Sequence, residues 1–258
     1  MSVRADPGGF PARKFSEAPS VSPIQMREIQ RMAQEDFGYD ILQITENAGR
    51  GLALLVLGML GGRGKGQSIV ILAGGGNKGA AGLCAARHLV NWGFDVEPIL
   101  ADVESESSVA TRRQLSILRE AGVVDPGDTE VNEIALEDHL VRADLVVDAL
   151  VGYGLAGPPV GIAAAATELA VACKKPILAL DVPTGVNAAT GEVSSPAIRA
   201  MTTLTLDLPK RGVVEASARA NVGELYLADL GIPLSVHERM GIAVGGLFSE
   251  GPIVRLRR

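Results

Sequence analysis

The stretch SIVILAGGGNKGAAGLCAARHL, residues 68–89, decides the fold. After Ser68 it is apolar on both faces through Ala73, then three consecutive glycines break the run, and Asn77-Lys78-Gly79 leads into a small-residue segment through Trp92. An apolar run of that length reads as a strand covered on both sides, and the segment beginning near Ala80 reads as a helix. The pattern repeats downstream. Apolar runs at residues 96–101, 144–150 and 176–181 alternate with helical periodicity near 109–121, 134–141 and 160–173. Val123 and Val124 make a further short apolar segment. Alternation of this kind predicts an α/β chain with a mostly parallel central sheet and helices on both faces.

Upstream, Ser22-Pro23 has the form of a helix cap with proline at the first helical position, and Asp40 can cap a second helix whose apolar stripe ends at glycines 61–66. Downstream, residues 201–206 and 224–227 are β-prone and extend the sheet at one edge. No composition shift marks a second domain. The expected layout is a disordered or extended lead-in at 1–21, one domain at 22–240 and a C-terminal tail at 241–258.

Composition excludes several functions. The 258 residues carry thirty acidic and twenty-four basic side chains, a net charge of −6, and only 3% are aromatic. Nucleic-acid binding usually needs a basic face and stacking rings, so it is not expected. The longest unbroken apolar run, residues 52–60, is far short of the ~20 residues that cross a bilayer. The first residues lack the apolar stretch of a secretory leader, which implies a cytoplasmic address. Cys84 and Cys173 belong to no ligand pattern and read as buried small hydrophobes.

Three strand ends carry the chemistry. Gly74, Gly76 and Gly79 open a helix, where backbone N–H groups suit a phosphate, although glycine also serves a bare tight turn. Asp148 ends the next apolar run and precedes Gly152 and Gly154; a carboxylate there either meets a ligand or caps its own loop. Asp181, before Pro183-Thr184-Gly185, has the same two readings. Asp102, near the end of the second strand, keeps an NAD-dependent oxidoreductase in view, without a hydride-transfer constellation to support it. His88, His139 and His237 are isolated in sequence and read as structural or exposed.

GGGNKGAAGLCAARHL at 74–89, DALVGYGLAG at 148–157, ALDVPTGVNAATG at 179–191 and TLTLDLPKRGV at 203–213 together resemble the YjeF N-terminal domain family. ITENAG at 44–49 and GELYLADLGIP at 223–233 are similar to that family too. The resemblance implies a Rossmann-like three-layer αβα sandwich, generally a homodimer, that acts as an NAD(P)H-hydrate epimerase and interconverts R and S hydrates of the damaged cofactor. It implies that Gly76, Asn77, Lys78, Gly79, Gly152, Gly154, Leu155 and Asp181 hold the nucleotide. A separate NAD(P)H-hydrate dehydratase is the implied partner.

Two departures change the expectation. The family's GNNGGDGL reads Gly76-Asn77-Lys78-Gly79-Ala80-Ala81-Gly82-Leu83, so its acid/base aspartate is Ala81, which can neither accept nor donate a proton. Ordinary epimerase activity is therefore expected to be slow or absent, with Asp148, Asp181 or Lys78 as substitute acid/base groups. A relative that binds a nucleotide without catalysis is the alternative. The family's potassium position corresponds to Lys78, Asp148 and Thr184, and an ammonium turned inward would replace the ion by pairing with Asp148. Outward, Lys78 would face solvent or phosphate. Lys210 reads either as a site residue or as solvated surface, with Asp207 as its partner or not.

Overall fold

A computed structural model describes residues 3–62, 64–125, 133–154 and 157–257. In chain order it contains β1 (Ala12–Lys14), α1 (Pro23–Glu35), α2 (Ile41–Met59), β2 (Ser68–Ala73), α3 (Asn77–Asn91), β3 (Asp95–Leu100), α4 (Val109–Glu120) and α5 (Glu133–Arg142). There follow β4 (Leu145–Ala149), α6 (Gly161–Ala172), β5 (Ile177–Leu180), β6 (Thr202–Leu206), α7 (Arg211–Val214), α8 (Arg219–Val222), β7 (Glu224–Ala228), α9 (Leu234–Arg239) and β8 (Ile253–Arg257).

The strands form one eight-stranded sheet in the order β1-β8-β7-β6-β5-β4-β2-β3. From β3 to β7 every neighbour is parallel. Period-two alternation divides each central strand between two cores. Ile69, Ile71 and Ala73 of β2 join Leu52 and Leu55 of α2 and Leu83 and Leu89 of α3. Val70 and Leu72 point the other way, to Leu136 and Leu140 of α5 and Ala166 and Ala170 of α6. Two helix layers thus cover the sheet, giving the expected three-layer α/β sandwich.

Both ends of the chain enter the sheet. β8 runs antiparallel to β7, and β1 lies parallel to β8 with Ala12 opposite Arg255. Ile253, Val254 and Leu256 are buried while Arg255 binds the carboxylates of Asp6 and Glu224. Three apolar residues this close to the terminus, interrupted by Arg255 and followed by Arg257, are easily read as a tail. Two local readings shift as well. α3 begins at Asn77, not near Ala80, because extended Gly76 serves as its N-cap. Val123 and Val124 form no strand; they turn back after α4, where both N–H groups bond the carbonyl of Leu118.

Candidate functional site

β2 is followed by β3 on one side of it, whereas β4 lies on the other, so the chain reverses direction in the sheet between β2 and β4. A crevice opens outside the carboxyl ends of strands at such a point. Here it is a cleft of about 450 Å³ lined by residues of α1, α2, the turn before α3, and the loops after β4, β5 and β6. Gly76, Asn77, Lys78, Gly152, Gly154 and Asp181 all reach it, as do Ala81 and Lys210. Gly79 lies buried beneath the same turn. Leu155 lies outside the described residues.

Close packing draws the turn tight. A Cβ on Gly79 would stand 1.7 Å from the Gly74 carbonyl oxygen, and one on Gly82 would stand 2.6 Å from the Ala149 Cβ. The glycines therefore let α3 lie down on β2 and β4. Gly76 has no side chain to cap the helix, and the space beside it is open, so the first-turn N–H groups of α3 are left for another acceptor. The start of α4 braces the turn from behind: the Thr111 hydroxyl donates to the carbonyls of Gly75 and Gly76 at 2.9 and 3.0 Å. Asp102 accepts the Gly75 N–H at 2.9 Å, which places its carboxylate at the rim.

Lys78 turns inward. Its Nζ contacts both Asp148 oxygens at 3.2 Å, the Val151 carbonyl at 3.0 Å, the Val182 carbonyl at 2.9 Å and the Thr184 hydroxyl at 3.4 Å. Asp148 is fully buried and also accepts from the Thr184 hydroxyl and N–H and from the Leu150 N–H, at 2.7, 2.8 and 3.1 Å. It sits behind the cleft wall with its lone pairs occupied. Burial draws the Lys78 ammonium below the ordinary lysine range, and the Asp148 charge resists that shift.

Asp181 faces the cleft. Its backbone is left-handed, φ 62°, and its Oδ1 accepts from Lys210 Nζ at 2.5 Å. Lys210 is 1% exposed, so it is not surface, and Asp207 faces His237 while Lys210 pairs with Asp181. Its Nζ also donates to the Leu206 carbonyl at 2.8 Å and lies 5.5 Å from the centre of the Tyr153 ring. Tyr153 donates to Gln30 Oε1 at 2.6 Å, and burial followed by the Asp181 charge pushes its phenol up to about 12. The Arg27 guanidinium also lies over that ring, 5.9 Å from its centre. Nothing in the sequence marks Arg27 or Gln30, and Tyr153 is embedded in the 148–157 motif with no role read for it, because α1 meets this loop only through the fold.

The three histidines, isolated in sequence, each have a carboxylate neighbour in space. His88 bonds Glu46 at 2.8 Å, His139 lies 3.8 Å from Glu97, and His237 bonds Asp207 at 2.9 Å. Burial disfavours the His237 imidazolium, but the hydrogen bond and charge of Asp207 outweigh it and raise its pKa above the ordinary value. Cys84 is buried as expected, but its Sγ lies 3.3 Å from Glu46; Cys173 is only half-buried.

Residues 42–212 match the family model described as YjeF-related protein N-terminus, about two thirds of the chain. The chain belongs to this family. A relative from Dehalogenimonas lykanthroporepellens named NAD(P)H-hydrate epimerase is 42% identical over 253 residues, 95% of this chain and 98% of that one. Another of the same name from Rhodopirellula baltica is 33% identical, covering 88% of this chain and 90% of that one. A bifunctional NAD(P)H-hydrate repair enzyme from Moorella thermoacetica is 32% identical over 83% of this chain, which spans only 40% of that relative. The crystal structure of yeast ynu0, YNL200c, superposes with a TM-score of 0.77 at 26% identity, covering 92% of this chain and all of that one. Among the described residues, no helix is long and apolar enough to cross a membrane.

Proposed function

We propose that the cleft binds the hydrate of a reduced nicotinamide dinucleotide and interconverts its R and S forms slowly, as a member of the epimerase family lacking one acid/base group. The observation that carries this is the buried Asp181–Lys210 pair, which opens onto the same cleft as the uncapped N-terminus of α3. Backbone N–H groups and the positive end of the helix dipole hold the phosphates, and the loop carrying Gly152 and Gly154 closes over them. The nucleotide is the ligand; neither nucleic acid nor membrane is a partner.

The hydrate inverts when its hydroxyl leaves as water and water returns to the same carbon from the opposite face. In this reading Lys210 gives a proton to the departing oxygen, and the Asp181–Lys210 pair takes one back as water re-adds. The Asp181 carboxylate opposes the positive charge that spreads over the ring nitrogen between the two steps. Asp148 and Lys78, saturated by each other and by the loop groups around them, hold the loops instead of moving protons, and the ammonium of Lys78 stands where the resemblance implies potassium. Ala81 lines the cleft and contributes no proton. Loss of one general acid/base group slows a reaction by about 10²–10⁴-fold.

Ala81 also favours a second reading, a protein that binds the hydrate without turning it over. The two separate in one assay. Purified R hydrate is mixed with the protein and loss of chirality is followed by chromatography. A rate above the spontaneous one supports the epimerase; a rate equal to it overturns catalysis and leaves binding. A homodimer and a dehydratase that acts on one of the two epimers belong to the same proposal.

A further inference from the structure

The shell around Lys78 Nζ is made of oxygen alone: a carboxylate, two main-chain carbonyls and a hydroxyl. The Thr184 hydroxyl gives its own proton to Asp148 Oδ1, so it too presents a lone pair toward Nζ. The three N–H bonds of an ammonium therefore meet the Asp148 carboxylate and the carbonyls of Val151 and Val182. Oxygen ligands carrying one negative charge are also the donor set of a hard cation. The Lys78 side chain is 6% exposed and that of Asp148 0%, so the carboxylate needs a cation beside it. Free potassium does not fit, since Nζ already fills the point where these oxygens converge.

We infer that Lys78 is a tethered cation: the protein needs no monovalent ion at this point, and removing the amine uncovers a latent site for potassium, ammonium or a small primary amine. The shell supports this because its oxygens come from backbone-fixed places. Asp148 is in β4, Val151 follows it, and Val182 and Thr184 follow β5. The cation thus ties the ends of two neighbouring strands, and losing it loosens both loops beside the cleft. A free ion would make that tie depend on the salt; a tethered one makes it permanent.

The inference deepens the proposed function at the same cleft but is read through stability, so an inactive protein still tests it and its failure leaves the hydrate assay untouched. The experiment compares the thermal midpoints of the unaltered protein and Lys78→Ala in potassium, ammonium, ethylammonium, sodium and choline chloride at equal ionic strength. The unaltered protein should melt at one temperature in all of them. Lys78→Ala should melt lower in choline and recover saturably with potassium, ammonium or ethylammonium. A potassium-specific rise in the unaltered protein overturns the inference, as does a variant that responds to no cation. Because the variant can fail to fold, the lysine ammonium signals of the unaltered, nitrogen-labelled protein give a second readout. Beside any signal from buried Lys210, one slowly exchanging ammonium that is unmoved by added potassium and absent from Lys78→Arg is expected. Loss of every such signal to solvent exchange, or its displacement by potassium, overturns the tethered cation.

Discussion

Lys210→Met probes the ion pair at the floor of the cleft. The Lys210 side chain is 1% exposed and that of Asp181 5%, so water neither screens the pair nor hydrates a carboxylate left alone. Methionine occupies much of the lysine stem's space. Among the described residues it leaves Asp181 Oδ1 with the Thr205 hydroxyl and the Leu206 N–H, both at 3.3 Å and long for hydrogen bonds. Breaking a buried pair from one side costs about 3–5 kcal/mol. At roughly 2–4 °C per kcal/mol for a chain of this size, the thermal midpoint falls by about 6–20 °C. Asp181→Asn keeps a residue that tolerates the left-handed backbone, and combined with Lys210→Met it leaves no buried charge unpaired. Chemical denaturation of the parent, both single variants and the double variant gives the coupling energy. The double variant should be more stable than Lys210→Met alone. A loss below about 1 kcal/mol for Lys210→Met, or losses that simply add, refutes a desolvated pair.

Other consequences follow from single residues. The folded pKa of His237 is raised, so its pairing with Asp207 stabilises the fold fully below its unfolded pKa of about 6.5 and fades as pH climbs through the folded value. Unfolding free energies of the parent and His237→Gln, measured across pH, should converge at alkaline pH; a gap that widens there contradicts the pairing. Ala81→Asp should raise hydrate turnover by about 10²–10⁴-fold if the cleft has kept its geometry, and unchanged turnover with intact binding would show further divergence of the site. Gly79→Ala forces a methyl group into the Gly74 backbone, and its soluble yield and melting midpoint should both drop; a parent-like midpoint would mean the turn is looser than described.

Much of the architecture was legible because parallel strands buried on both faces leave unbroken apolar runs. β2 begins and ends at the residues that the run at 68–73 implies. β8 was not legible, since its Ile253, Val254 and Leu256, interrupted by Arg255, lie next to the chain terminus and acquire meaning only beside β7. Asp181 and the glycine turn stood out as strand-end punctuation before a loop. Lys210 did not resolve, because a lysine after a proline reads alike whether its ammonium is solvated or reaches back to a carboxylate 29 positions away. Arg27 and Tyr153 share the cleft across 126 residues of chain, a proximity that no local pattern encodes.

In the proposed complex a dinucleotide lies across the strand ends with its phosphates on α3, and a crystal soaked with the reduced dinucleotide hydrate would reveal it. Phosphate density against the N–H groups of Asn77, Lys78 and Gly79, with the hydrated ring toward Asp181 and Lys210, is the result predicted. Density for the ligand at any other surface, with this cleft empty at saturating concentration, would contradict it.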